Sequence, residues 1–239
     1  MRMNRSSRGI VPLALMAALW PAGSAFSELT GERQEGRASA RPPARSLARP
    51  TSPAKPTDAD GFIQRWLLLD PMRVPGQLTE SAIRTAVEKD FPVGATPLPH
   101  DGATLTIGDS ALTWHAVDTG HYNVNLYHFA YARNNPTTNV LFWAVTVVNA
   151  PRQMSGVRLA IGSNAASVWW VNGTEATTLY NDRQTVIDDG VSKRLTLNQG
   201  ANVIRAAIVN AGGATDFCAR FLDEHDRPIT TLTATLTAR

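Results

Sequence analysis

Trp169 and Trp170 stand side by side in this 239-residue chain, and Trp114, Trp143 and Tyr180 lie in similar short apolar runs, with Asp182 and Arg183 just after the tyrosine. An exposed indole or phenol ring can stack on the apolar C–H face of a sugar ring. Nearby carboxylate, amide and guanidinium groups can then fix its hydroxyls, the usual plan of an apolar surface with a few polar anchors. Adjacent residues of a strand point to opposite faces, so Trp169 shares a face with Val171 and Trp170 with Val168. Trp169 is assigned to the core and Trp170 to the outer, available face. Trp170 is therefore the first ligand-binding candidate, followed by Trp114, Trp143, Tyr180, Asp182 and Arg183. The competing role for each ring is ordinary core packing.

Other reactive side chains point less clearly to a site. Asp182, Asp188-Asp189-Gly190 and Asp216 fall in loops. Calcium takes carboxylate and carbonyl oxygens from such loops, so a structural calcium is one reading and solvated turn acids the other. His100, His115, His121, His128 and His225 form no H-x-H or H-E-x-x-H pattern, and no histidine metal site is expected. Gly108-Asp109-Ser110-Ala111-Leu112 resembles the nucleophile segment of GDSL hydrolases, after a strand-like Thr104–Ile107. The alternative is a Gly-Asp-Ser turn in a hairpin between Leu105 and Trp114. The chain has no G-x-N-D segment, no D-x-x-H pair near its C-terminus and no G-x-S-x-G elbow. The helices of an α/β hydrolase are missing too. No catalytic residue is assigned, and the chain is read as not an enzyme.

Charge narrows the partners. Residues 1–60 hold 9 Lys and Arg against 5 Asp and Glu, leaving 14 against 15 for residues 61–239. The basic pI thus belongs to the N-terminal region, and the body lacks the positive surface a nucleic-acid binder needs. Arg2, Arg5 and Arg8 precede an apolar run from Ile10 to Trp20 and the small residues Gly23-Ser24-Ala25. That order reads as a secretory signal peptide over 1–25. The run is about half of the ~20 residues of a membrane span, so no transmembrane segment is expected after cleavage. Residues 26–57 follow as a disordered Pro/Arg-rich linker. Ala38–Pro56 carries five prolines and one large aliphatic residue, Leu47, too little to offset the entropy of ordering it. The linker is a spacer or a basic tether to an acidic envelope surface. Cys218, the one cysteine, can make no intramolecular disulfide.

Residues 58–239 are long enough for one sizeable core. Phe62–Leu69 is apolar and stops at Asp70-Pro71. Thr79–Phe91 sets Ala82, Ile83, Ala86 and Val87 at helical spacing, with Glu80/Arg84 and Arg84/Glu88 as i,i+4 pairs. Short strands follow at close spacing, broken by Gly, Pro and Asn. They run over Thr104–Ile107, Leu112–Val117, Asn123–Ala132, Val140–Val148, Val157–Ile161, Ser167–Val171, Val203–Val209, Phe217–Phe221 and Ile229–Leu236. In the third of these, Tyr127, Phe129 and Tyr131 would share one face. The pattern predicts an all-β fold, an antiparallel jelly-roll β-sandwich with one short helix. Asn172-Gly173 predicts a two-residue type I′ hairpin turn.

Four stretches together resemble galactose-binding-like sandwich domains. Leu159–Gly173 (LAIGSNAASVWWVNG) resembles their L-x-L-G-S-D-D-G-x-x-V-W-V-N-G segment, and Leu195–Ile204 their V-x-L-x-x-G-x-N-x-L. Phe217–Phe221 with the turn Asp223–Pro228 resembles the F-x-x-R strand and its closing turn, and Trp66–Pro71 the opening W-L-x-L-G-P strand. This chain has Asn164-Ala165 where that family has its acidic pair, and Asp70 where it has Gly. If the pair contributes to an ion site in relatives, that contribution is lost here. Such domains accompany secreted carbohydrate-active enzymes such as acetyl xylan esterases. The resemblance implies a fold strongly and a role only by analogy.

The role so implied is a non-catalytic carbohydrate-binding or accessory module, periplasmic or secreted, whose partner is a polysaccharide. The alternative is a structural or protein-interaction domain of an envelope complex with no sugar site. Export itself is checked by N-terminal sequencing of the exported chain, which should begin at Phe26; an intact Met1 on membrane-bound material would contradict it.

Overall fold

The computed structural model describes residues 47–90 and 98–238, all within one compact unit. The expected signal peptide, and the expected linker up to residue 46, lie outside the described residues. Fifteen strands and two helices are present among those described. In chain order they begin β1 Lys55–Pro56, β2 Arg65–Leu69, β3 Met72–Arg73, α1 Glu80–Asp90, β4 Thr104–Ile107, β5 Ser110–Asp118, β6 Asn123–Asn125 and α2 Leu126–Tyr131. They continue β7 Val140–Ala150, β8 Met154–Asn164, β9 Ala166–Val171, β10 Thr174–Leu179, β11 Gly190–Val191, β12 Leu195–Leu197, β13 Gly200–Asn210, β14 Asp216–Leu222 and β15 Thr233–Thr235.

These strands form two antiparallel sheets, as the spacing predicts. The larger runs β10-β9-β13-β7-β2-β5-β4, with β3 and β15 also on β7 and β1 on β15; the smaller runs β11-β8-β14-β6, with β12 also on β8. From β7 onward the chain passes repeatedly from one sheet to the other, which is what closes a jelly-roll sandwich. Between the sheets lies a core centred on Trp66, Trp169 and Phe217, whose rings meet edge to face at 5.0–6.1 Å. Asn172 and Gly173, at φ 51° and 83°, make the expected type I′ turn between β9 and β10.

Three expectations are corrected. First, Asn123–Ala132 is not one strand. After β6 the Asn125 side chain accepts from the His128 amide at 2.8 Å and caps α2. Leu126, Phe129 and Ala130, at helical spacing, turn inward. The alternating aromatics 127, 129 and 131 imitate a strand period, but the cap and the i,i+3,i+4 apolar triplet prevail. Two short helices, not one, are present among the described residues.

Second, the stretch 47–57 is not linker. Ala48 and Asp118 exchange two backbone hydrogen bonds of 2.9 and 2.7 Å, and β1 pairs with β15. Arg65, buried beneath, donates to both Asp118 carboxylate oxygens at 2.8 Å and to the Ser52 carbonyl at 2.7 Å. Backbone pairing at a sheet edge tolerates proline, and a buried guanidinium needs acceptors. The attachment therefore requires none of the apolar side chains whose scarcity reads as disorder.

Third, the outer face of the large sheet is not open. Leu67, Leu69, Met72, Trp114, Trp143, Val168 and Trp170 form a second apolar cluster there with Ile83 and Val87 of α1. Alternation places Trp169 and Trp170 on opposite faces, yet Trp170 is only 5% exposed. Both truncations should therefore destabilise: Trp169→Ala and Trp170→Ala are each expected to cost about 3–5 kcal/mol, read in thermal melts. An unchanged melt for Trp170→Ala would mean that the outer layer does not pack on the sheet.

Candidate functional site

The residues singled out in the sequence do converge, but inside the protein. Trp143 and Trp170 stack at 5.8 Å and 29°, with Trp114 in the same cluster and Tyr180 half-buried at its margin. The Tyr180 hydroxyl donates to Glu80 of α1 at 3.3 Å, and Arg84 pairs with both Glu80 and Glu175 in place of Glu88. Arg183 is held by Asp189 and by the Tyr180 carbonyl; Asp182 alone of the set is exposed. An aromatic layer lies where the spacing puts it, and the helix that covers it removes it from reach of a sugar.

The acidic loop does not assemble an ion site. Asp188 is bound by Arg220, Asp189 by Arg183, and Asp216 by Asn123 and Thr185. Among the described residues no three His, Cys, Asp or Glu side chains come together. At the position of the family's acidic pair the Asn164 carbonyl accepts from the Thr215 hydroxyl and Ala165 is buried.

Nucleophiles fare no better. Gly108-Asp109 is the turn of the β4–β5 hairpin, Ile107 pairs with Ser110, and Ser110 is an exposed strand-start. His115, whose Nε2 lies 3.0 Å from Asp70 Oδ1, is five positions along the same strand, or roughly 16 Å away. Ser110 and His115 are therefore not brought together. Burial pushes the Cys218 thiol up to about 12, far from a reactive thiolate.

Among the described residues, α2 carries open aromatic surface. With Leu126, Phe129 and Ala130 inside, Tyr127 and Tyr131 sit one turn apart on the solvent side, their rings parallel to within 8° at 6.0 Å. Tyr131 is 68% exposed, the most open large apolar side chain among the described residues. The helix is fixed at its start by the Thr215 carbonyl, which accepts from the Leu126 and Tyr127 amides at 3.0 Å. It is fixed at its end by the Asn135 amide, which donates to the Ala130 carbonyl at 3.0 Å. Asn134, at φ 56°, turns the chain back beside Tyr131, and its amide side chain is exposed. Asn210 ties this loop to the next by donating to the Thr137 carbonyl at 2.7 Å and accepting from the Gly212 amide at 3.1 Å. The result is a rim at one end of the sandwich, an exposed phenol ring and a half-buried one beside amide-bearing loops. Sequence reasoning named these tyrosines only as strand residues. Asn125 as a helix cap was the signal that could have placed them.

No family model matches the chain, and no curated protein matches it. Solved structures similar to it include a PA14 sugar-binding domain from an RTX adhesin, at 7% identity over 72% of this chain and 99% of that one, with a TM-score of 0.42. The PA14 domain of the MpAFP antifreeze protein is 11% identical over 82% of this chain and 98% of that one, again with a TM-score of 0.42. A β-glucosidase from Kluyveromyces marxianus in complex with glucose is 16% identical over 46% of this chain and 13% of that one, with a TM-score of 0.34. These likenesses assign no residue of this chain to a ligand.

Proposed function

We propose that this chain is a non-catalytic carbohydrate-binding module of an exported protein, and that it holds a sugar ring on Tyr131 with Tyr127 alongside. The observation that carries the reading is the exposure of Tyr131 on a helix fixed at both ends. A phenol ring held open to water outside the core presents an apolar face suited to an apolar partner face. The amides of Asn134 and its neighbours supply donors and acceptors for sugar hydroxyls, as ligand sites on loops at the end of a rigid sandwich commonly do. Export follows, in this proposal, from the basic and apolar segments of residues 1–25. The domain then acts as an accessory to another exported enzyme or domain, in the manner of galactose-binding-like modules.

Affinity gel electrophoresis against a panel of soluble plant and bacterial polysaccharides tests it. Tyr131→Ala is expected to weaken retardation by roughly tenfold, about 1.4 kcal/mol, and to leave the melting temperature nearly unchanged because the ring is largely exposed and outside the core. Retention equal to wild type would overturn the placement of the site. If no polysaccharide retards the wild type, the interaction-domain reading replaces this one. Val186 and Ile187, exposed on the loop over the small sheet, are its natural contact.

A further inference from the structure

We infer that the recess beside α2, between Arg133, His115 and residues 47–49, is a separate subsite for a carboxylate-bearing sugar ring, a uronate; this rests on the carbohydrate-binding proposal above. The recess holds about 320 Å³, at the lower end of the roughly 300–1,000 Å³ of small-molecule sites. That is more room than a simple inorganic anion fills. Leu47, Ala116 and Val117 supply apolar wall, and Arg49, His115 and Arg133 supply donors.

The charges in and around it are unequally occupied. Asp101 already accepts from Arg49 at 2.6 Å and from the Ala116 amide at 2.9 Å. Asp70, behind His115, accepts from the Thr113 amide, from Asn135 and at the His115 ring. Arg133 differs. Its guanidinium lies 4.3 Å from the centre of the Phe129 ring and donates one N–H to the Phe129 carbonyl at 3.0 Å. Among the described residues no carboxylate lies within ion-pair distance of it. Partial loss of water holds its pKa below the ordinary guanidinium value, with Asp70 opposing that shift. A guanidinium does not lose its proton in proteins. It remains a positive fork, desolvated on one side and open on the other, and such a fork matches a carboxylate with two parallel hydrogen bonds. The aromatic ring beneath adds a cation–π contact. A neutral sugar would leave this charge unanswered; a uronate answers it and fills the space.

NMR titration of the isotope-labelled full chain with D-glucuronate, D-glucose and inorganic phosphate tests the inference. Glucuronate is expected to shift the Gly102 and Ala116 amides and the Arg133 Nε–H, with glucose at least tenfold weaker. Arg133→Gln should abolish the glucuronate response and leave the melt unchanged, and Arg133→Lys, which keeps the charge without the fork, should restore only part of it. Tyr131→Ala should not affect it. Equal responses to glucuronate and glucose, an equal response to phosphate, or a response that survives Arg133→Gln would each overturn the subsite. Neutral polysaccharide bound through Tyr131 with no glucuronate response would overturn it while leaving the module's function standing. A glucuronate response in a chain that binds no polysaccharide would uphold the recess and sink the broader proposal.

Discussion

β7 is buried on both faces along nearly its whole length, paired to β13 through eleven successive positions from Val140 with Asn210 to Ala150 with Gly200. A strand covered twice cannot alternate apolar and polar residues, and VLFWAVTVVNA does not. The inner cover is the small sheet, whose Phe217 meets Trp66 and Trp169 of the large sheet. The outer cover is α1 and the chain around it, meeting it through Trp143 and Trp170. Each cover buries aromatic rings that would otherwise be candidates for a ligand, so this double burial determines where a site can and cannot be.

Its consequence is a division of labour between plate and rim. The large sheet contributes rigidity, and its aromatic faces offer no open ring. Charged side chains of both sheets and their loops act as fasteners: Arg65 holds Asp118 and the 47–57 stretch, Arg220 holds Asp188, and Arg183 holds Asp189. Asp188 and Asp189 thus fasten their loop through arginines. Open aromatic surface and an unanswered guanidinium occur instead around α2, which lies past the edge of the small sheet. A one-turn-and-a-half helix is marginal alone. Here its cap, the Thr215 carbonyl and three buried side chains hold it, so Tyr131 can be exposed without being loose.

The all-β sandwich was legible because strand spacing, turn residues and the Asn172-Gly173 hairpin all report local geometry, and local geometry is preserved in the fold. Trp169 and Trp170 show the limit. Alternation separates their faces from sequence alone, but whether the outer face meets water depends on a helix more than eighty residues away. No local pattern carries that. Tyr127 and Tyr131 failed for a different reason: an aromatic at every second position is good evidence for a strand, and only the Asn125 cap argued otherwise. The 47–57 stretch was misread because its attachment is through backbone and a buried arginine, to which hydrophobic composition is blind. Asp70, a departure from the family pattern, proved to be an acceptor for three donors, a role that spacing could not show.

The most direct test of the whole account is which aromatic rings a solvent-borne dye can touch. Photo-CIDNP NMR polarises only tyrosine, tryptophan and histidine rings accessible to such a dye. In a Trp20→Phe chain, strong polarisation is expected from Tyr131, quenched when a bound polysaccharide is added, and none from Trp66, Trp114, Trp143, Trp169 or Trp170. Polarisation of Trp143 or Trp170 as strong as that of Tyr131 would contradict it, for the outer face of the sheet would then be open and the tryptophans, not the rim, would be the surface offered to a ligand.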